Sequence, residues 1–108
     1  MNAQYKKGVA ELCVLSLLAR GDRYGYEISE ALSARIDIAD GTVYPILRKL
    51  KADGLLTTYL QEESGGPPRK YYHLTDEGRA AYGLDRREYL AFARAIESIL
   101  EEDGHDEK

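Results

Sequence analysis

Three helical stretches, two β-rich runs around a glycine–proline loop and one long closing helix follow each other along 108 residues. That order predicts a mainly α (α+β) fold, a winged helix-turn-helix with a two-stranded β wing and a long C-terminal helix. The length suits one compact fold, and a hydrophobic content of 44% allows a modest core that a partner subunit would reinforce.

The first helix is expected over residues 8–19, "GVAELCVLSLLA". Val9, Leu12, Cys13, Val14, Leu15, Leu17 and Leu18 leave little polar surface, so this helix must be covered on several sides. One side would face its own protomer and another, including Leu12 and Leu15, a second subunit. Gly21 ends it, and Asp22 is suited to cap a second helix over "YGYEISEALSAR", with Ile28, Ala31 and Leu32 on its apolar face.

The third stretch, "DGTVYPILRKL", sets Val43, Ile46, Leu47 and Leu50 at helical spacing with Pro45 among them. Proline in a helix interior removes a hydrogen bond and clashes with the preceding turn. With Thr42 or Asp40 as N-cap, Pro45 falls in the first turn and marks a start, giving a helix over about residues 42–52 closed by a left-handed Gly54. The runs "LLTTYLQ" (55–61) and "RKYYHL" (69–74) flank the loop "EESGGPP" and read as a hairpin, the wing lying at about 56–74. Thr75 then caps a helix whose Asp76 and Glu77 sit at its positive end. It is expected to run to about Leu100, with "EEDGHDEK" as a disordered acidic tail.

Charge is unevenly spread. The net −4 divides into +1 for residues 1–74 and −5 for residues 75–108, so the acidic surplus belongs to the C-terminal third. Cys13 is the only cysteine, which excludes an intrachain disulfide and a cysteine-based zinc site; packing is its expected role. No apolar run approaches the ~18 residues that span a bilayer. No signal-peptide pattern is present either, so a cytoplasmic location is the default. His73 and His105 are the only histidines, and no phosphate loop or nucleophile–base pair is visible. An enzyme is not expected, nor is a metal or other cofactor.

Opposite the apolar face of the third helix lie Tyr44, Pro45, Arg48 and Lys49, with Thr42 at its start and Lys51 on the flank. Cations there suit phosphates or guanine edges, and Tyr44 and Thr42 suit phosphate or thymine methyl groups. A solvated face is the bland alternative, but a position just before a hairpin favours contact with a major groove. Arg69 and Lys70 beside the hairpin loop could reach phosphates, opposed by Glu62 and Glu63. Tyr24 opens the second helix, where a phosphate contact and a core role are both open. Lys6 and Lys7 would add nonspecific attraction.

"ELCVLSLLA" from Glu11, "YGYEI" from Tyr24, "GTVYPILRKLKADGLL" from Gly41 and "GGPPRKYYHLTDEG" from Gly65 occur in one order over most of residues 8–78. In these motifs the chain resembles the short PadR-family transcriptional regulators with a single C-terminal helix. The resemblance implies a bacterial homodimer binding a double-stranded DNA operator as a repressor. Residues 1–74 would be the DNA-binding domain and residues 75–108 the dimerisation helix and tail. It also implies a major-groove role for the third helix, a wing role for the hairpin, and a dimer built by the first and last helices.

The last helix carries a fitting stripe: Tyr82, Tyr89, Phe92, Ala93, Ile96, Ile99 and Leu100 recur at three- and four-residue intervals. Some relatives bind flat hydrophobic or phenolic molecules between dimer helices, and Tyr89 and Phe92 are the candidates here. The chain has no tryptophan, the residue some drug-binding relatives use for stacking. Two rival readings stay open: a winged-helix protein-interaction module without DNA binding, and a small-molecule sensor acting through the dimer interface.

Overall fold

A computed structural model of the chain describes the backbone of residues 3–62 and 65–106, and the side chains of residues 8–39, 41–62 and 65–102. Lys6, Lys7, Glu63 and His105 lie outside the described side chains. The elements run α1 (Ala3–Ala19), β1 (Arg23–Tyr24), α2 (Gly25–Ser33), α3 (Asp40–Ala52), β2 (Leu56–Gln61), β3 (Arg69–Leu74) and α4 (Asp76–Asp106).

One core joins α1, α2, α3, β2 and β3, with Tyr82 of α4 packed against it. Ala10, Val14, Leu15 and Leu18 of α1 meet Ile28 and Leu32 of α2, the α3 face of Val43, Ile46, Leu47 and Leu50, and Leu56, Tyr72 and Leu74 of the sheet. The periodic face expected of α3 is therefore fully used. Leu15, expected at a subunit contact, is only 2% exposed and already enclosed by its own protomer.

Several boundaries differ from expectation, beginning with α1, which starts at Ala3 and not at residue 8. The wing is part of a three-stranded antiparallel sheet in the order β1-β3-β2, because Arg23 and Tyr24 pair with Tyr72 and Tyr71. Two residues are too short to show a period. Asp22 consequently caps nothing; Tyr24 occupies the N-cap position of α2, where its N–H donates to the Glu27 carboxylate at 3.2 Å. Helix α3 starts at Asp40, with Ala39 rather than Asp40 or Thr42 at the N-cap position. Pro45 is then the sixth helical residue, three places deeper than a Thr42 cap implies and one deeper than an Asp40 cap implies, and the bond that would close on Gly41 is absent. Both residues are exposed, so the released carbonyl is left on the outer surface. Finally, α4 continues through Gly83 and on to Asp106, past Leu100 and into the stretch expected as a tail.

The ends of α3, the wing and α4 meet at one junction. Gly54 adopts φ +81°, and the N–H groups of Gly54 and Leu55 return to the carbonyls of Lys51 and Leu50 at 3.0 Å, closing α3 as expected. Thr75 donates its hydroxyl to the Gly54 carbonyl (2.8 Å) and its N–H to the Leu55 carbonyl (3.0 Å). The same hydroxyl accepts the Gly78 N–H at 2.9 Å, capping α4. Gly78 is buried there, and a Cβ on it would run into the Leu55 carbonyl and lie 2.6 Å from Leu74 Cδ1. Further along α4, Tyr82 donates its hydroxyl to Ser16 of α1 at 3.2 Å.

Gly78→Ala should therefore force α4 away from the sheet. The expected cost is about 1–3 kcal/mol, read as a lowered thermal midpoint; an unchanged midpoint would show that the junction tolerates a methyl group.

Candidate nucleic-acid interface

The amphipathic pattern of α3 decides what it can present. With its apolar side fixed in the core, Tyr44 and Pro45 are exposed, as are Arg48, Lys49 and Lys51, while Thr42 is half-buried. These side chains do not share one face. Successive residues are rotated by about 100°, which puts Tyr44, Arg48 and Lys51 on one flank and Lys49 on the other. Lys49 turns to α1, where its ammonium meets Glu11 at 3.1 Å, and it also meets Asp53 at the end of its own helix at 3.4 Å. The Glu11 bond and charge lead in raising the Lys49 pKa, so this ammonium stays charged.

Tyr44 and Arg48 instead enter a cleft of about 420 Å³ between α3, the start of α2 and the wing. Tyr24, Tyr26, Arg69 and Lys70 line it as well, with the buried Tyr72 also contributing to the lining. Gly25 makes the close approach of α2 to α3 feasible, since a Cβ there would sit 3.1 Å from Tyr44 Cε1. Burial foremost, and then neighbouring Tyr44, raises the Tyr72 pKa against the opposing pull of Arg48, so its hydroxyl stays protonated.

An aromatic row crosses the outer face of the sheet beside this cleft. Tyr71 lies 5.6 Å from Tyr24 on one side and 5.6 Å from Tyr59 on the other, each pair directly opposed in register. The Arg69 guanidinium sits 4.5 Å above the Tyr24 ring, a cation–π contact that holds the wing's arginine over the start of α2. Asp22 ties down the far end: its carboxylate accepts the Tyr59 hydroxyl at 2.7 Å and lies 2.8 Å from His73 Nδ1. Nothing in local sequence spacing joins Asp22, Tyr59 and His73; only the strand register could have revealed them.

Of the residues singled out from sequence, Tyr24, Tyr44, Arg48, Arg69 and Lys70 thus converge. Thr42 and Pro45 do not line this cleft, nor does Lys51 although it shares the flank of Tyr44 and Arg48, and Lys49 is drawn away to Glu11. Leu12, Leu15 and Tyr89 line a second cleft of about 380 Å³ between α1, the end of α3 and α4, together with Glu11, Lys49 and Asp85. Phe92, Ile96 and Ile99 stand beyond it on α4, exposed by 60%, 38% and 60%. Cys13 is half-buried, and burial raises its thiol pKa. Among the described residues no acidic, histidine and cysteine side chains cluster as a metal site, and no helix is long and apolar enough to cross a membrane.

A model of the transcriptional regulator PadR-like family matches residues 14–84, which contain this cleft. The chain belongs to that family. A curated transcriptional regulator of Mycobacterium tuberculosis is 33% identical over 94 residues, covering 86% of this chain and 87% of its own. Among solved structures, a PadR-like transcriptional regulator of Bacillus cereus superposes with a TM-score of 0.82 at 31% identity, covering 91% of this chain and 97% of that one. A Streptococcus mutans protein superposes at 0.79 with 39% identity, covering 85% and 86%. The chain is accordingly a PadR-family transcriptional regulator with the family's winged-helix fold, not an enzyme.

The Asp22 tie gives a pH signature. Burial acts most strongly and raises its pKa, but the Tyr59 and His73 hydrogen bonds and the His73 charge together outweigh it, leaving the carboxyl below its ordinary 3.8. A depressed folded-state pKa means stabilisation above the unfolded value that disappears as pH falls through the folded one. Asp22→Asn should lower the urea midpoint at neutral pH, and its curve should converge on the wild-type curve in acid below 3.8. Parallel curves with no convergence would remove the carboxylate from this role.

Proposed function

We propose that this PadR-family regulator binds double-stranded operator DNA as a homodimer, α3 entering the major groove and the β2–β3 wing lying along the adjacent backbone. One observation carries the reading: Arg48 of α3, Arg69 and Lys70 of the wing and Tyr24 of the α2 start line a single exposed cleft although they come from separate parts of the chain. Arg48 suits a guanine edge or a phosphate, Tyr44 and Thr42 a phosphate or thymine methyl, and Lys51, Arg69 and Lys70 phosphates. Pro45 stiffens the exposed side near the helix start. Lys49 belongs to a different task, holding α3 to α1 through Glu11.

The second copy is argued from α4. Leu84, Phe92, Ile99 and Leu100 are each at least half exposed, an apolar surface that a regulator in water would cover with a partner helix. Two α3 helices would then meet half-sites about one DNA turn, roughly 34 Å, apart on a near-palindromic operator. An operator occupied in this way is closed to other proteins, so repression is the mode we assign, in the cytoplasm of a bacterium. A phenolic or other hydrophobic effector at the α1–α4 cleft is not part of this assignment.

Binding should weaken steeply with salt as phosphate contacts release counterions. Arg48→Ala should cost about 1–3 kcal/mol, while Lys49→Ala should cost less because its charge is already shared with Glu11 and Asp53. Fluorescence anisotropy across a salt series reads both; affinity for DNA without a salt slope, or unchanged by Arg48→Ala, would refute the cleft as the contact. Phe92→Glu should shift the sedimentation coefficient from dimer to monomer, and an unaltered coefficient would remove α4 from the subunit contact.

A further inference from the structure

The most exposed large apolar side chain on the wing is Leu60, at 69%. Its direction follows from the strand register. Leu56, Thr58 and Leu60 of β2 pair with Leu74, Tyr72 and Lys70 of β3, and directly paired residues in an antiparallel ladder share a face. Leu56, Tyr72 and Leu74 of that set are buried in the core, so this is the face turned to the helices. Lys70 of the same set lines the cleft with Tyr44 and Arg48. Leu60 is therefore carried past the end of the core on the side from which α3 and Lys70 project, and not on the outer side with Tyr59, Tyr71 and His73.

A leucine on a sheet's helix-facing side is ordinarily covered by a helix. Here the strand has run beyond any helix, and the side chain stays in water next to a lysine. We propose that Leu60 is an apolar wedge for the minor groove, seated between sugar edges or at an opened base step while Lys70 takes the flanking phosphate. The inference rests on the DNA reading above and adds a contact of a different kind. Apolar wedges act by partly unstacking a step, so they favour flexible pyrimidine–purine steps and bend the duplex. Recognition helix and wing would then divide the work, α3 reading base edges and Leu60 reading deformability at the flank. The cations beside it supply the charge complementarity that a groove bordered by phosphates requires.

The test uses the full-length protein and a duplex of about 40 base pairs, two half-sites with flanks, selected by the wild type from a randomised pool. Leu60→Ala should weaken binding about tenfold with the salt slope unchanged, because no phosphate contact is lost. It should also reduce the duplex bend seen by end-to-end energy transfer, and Leu60→Met should restore both. Lys70→Ala should instead lower the salt slope by about 1. Leu60 is exposed, so circular dichroism should show the same fold in every variant.

If Arg48→Ala weakens binding while Leu60→Ala leaves affinity and bend at wild-type values, the wedge alone is overturned. If Leu60→Ala changes the salt slope by as much as Lys70→Ala, Leu60 acts only by placing its neighbour, and the wedge is again overturned. If the wild type shows no salt-dependent binding to any duplex, the DNA reading fails and the wedge with it.

Discussion

The arrangement of this regulator depends on the junction at which Thr75 spans back to Gly54 and Leu55. One hydroxyl both donates to the end of α3 and accepts from the beginning of α4. Such a bond contributes about 1 kcal/mol, but its geometric effect is larger than its energy. It fixes where α3 ends, where the wing enters and leaves, and the direction in which α4 departs. Gly78 lets the backbones approach closely enough for these bonds to form together. The helix that we assign to DNA and the helix that we assign to the partner subunit are thus set in relation to each other by main-chain contacts, with no long side chain between them.

From that fixed frame, three sides of α3 acquire separate duties. Its apolar side completes the core, its Tyr44–Arg48 side opens to water, and Lys49 closes the third side against α1. An exposed ion pair of this kind adds little stability, at most about 1 kcal/mol. Its value is directional, since it consumes a cation that would otherwise blur which side of α3 is the basic one. The wing is held by different means. Its outer face is braced by the Tyr24–Tyr71–Tyr59 row, with Arg69 at one end and Asp22 at the other. An arginine resting on an aromatic ring has fewer rotamers to lose when it meets a phosphate.

Much of this could be read from the chain before any coordinates. The periods of α1, α2 and α3, the hairpin around the glycine–proline loop and the Thr75 cap are local patterns, and local patterns survive in one dimension. Several misses involved something non-local. Strand β1 is formed by two residues whose only signature is their pairing with β3. Asp22 looked like a cap because Asp commonly is one, but Tyr59 and His73, distant in sequence, offered it better partners. The helical wheel sets Lys49 with Arg48 opposite the apolar face, and Glu11 on α1, which no wheel of α3 contains, draws it away. The start of α3 moved because the helix tolerated Pro45 in its second turn, where the affected carbonyl faces outward. Of the cleft, the residue types were legible and their convergence was not.

The clamp at the base of the wing has an evolutionary corollary. Because the strand ends are pinned by Leu56 opposite Leu74 and by Thr75 on Gly54, the helices are tied to the base of the hairpin. Lengthening a pinned turn is thermodynamically mild, about 0.6 kcal/mol per doubling. Insertions and deletions can therefore accumulate at this tip, changing how far a descendant's hairpin extends while its scaffold keeps the same shape.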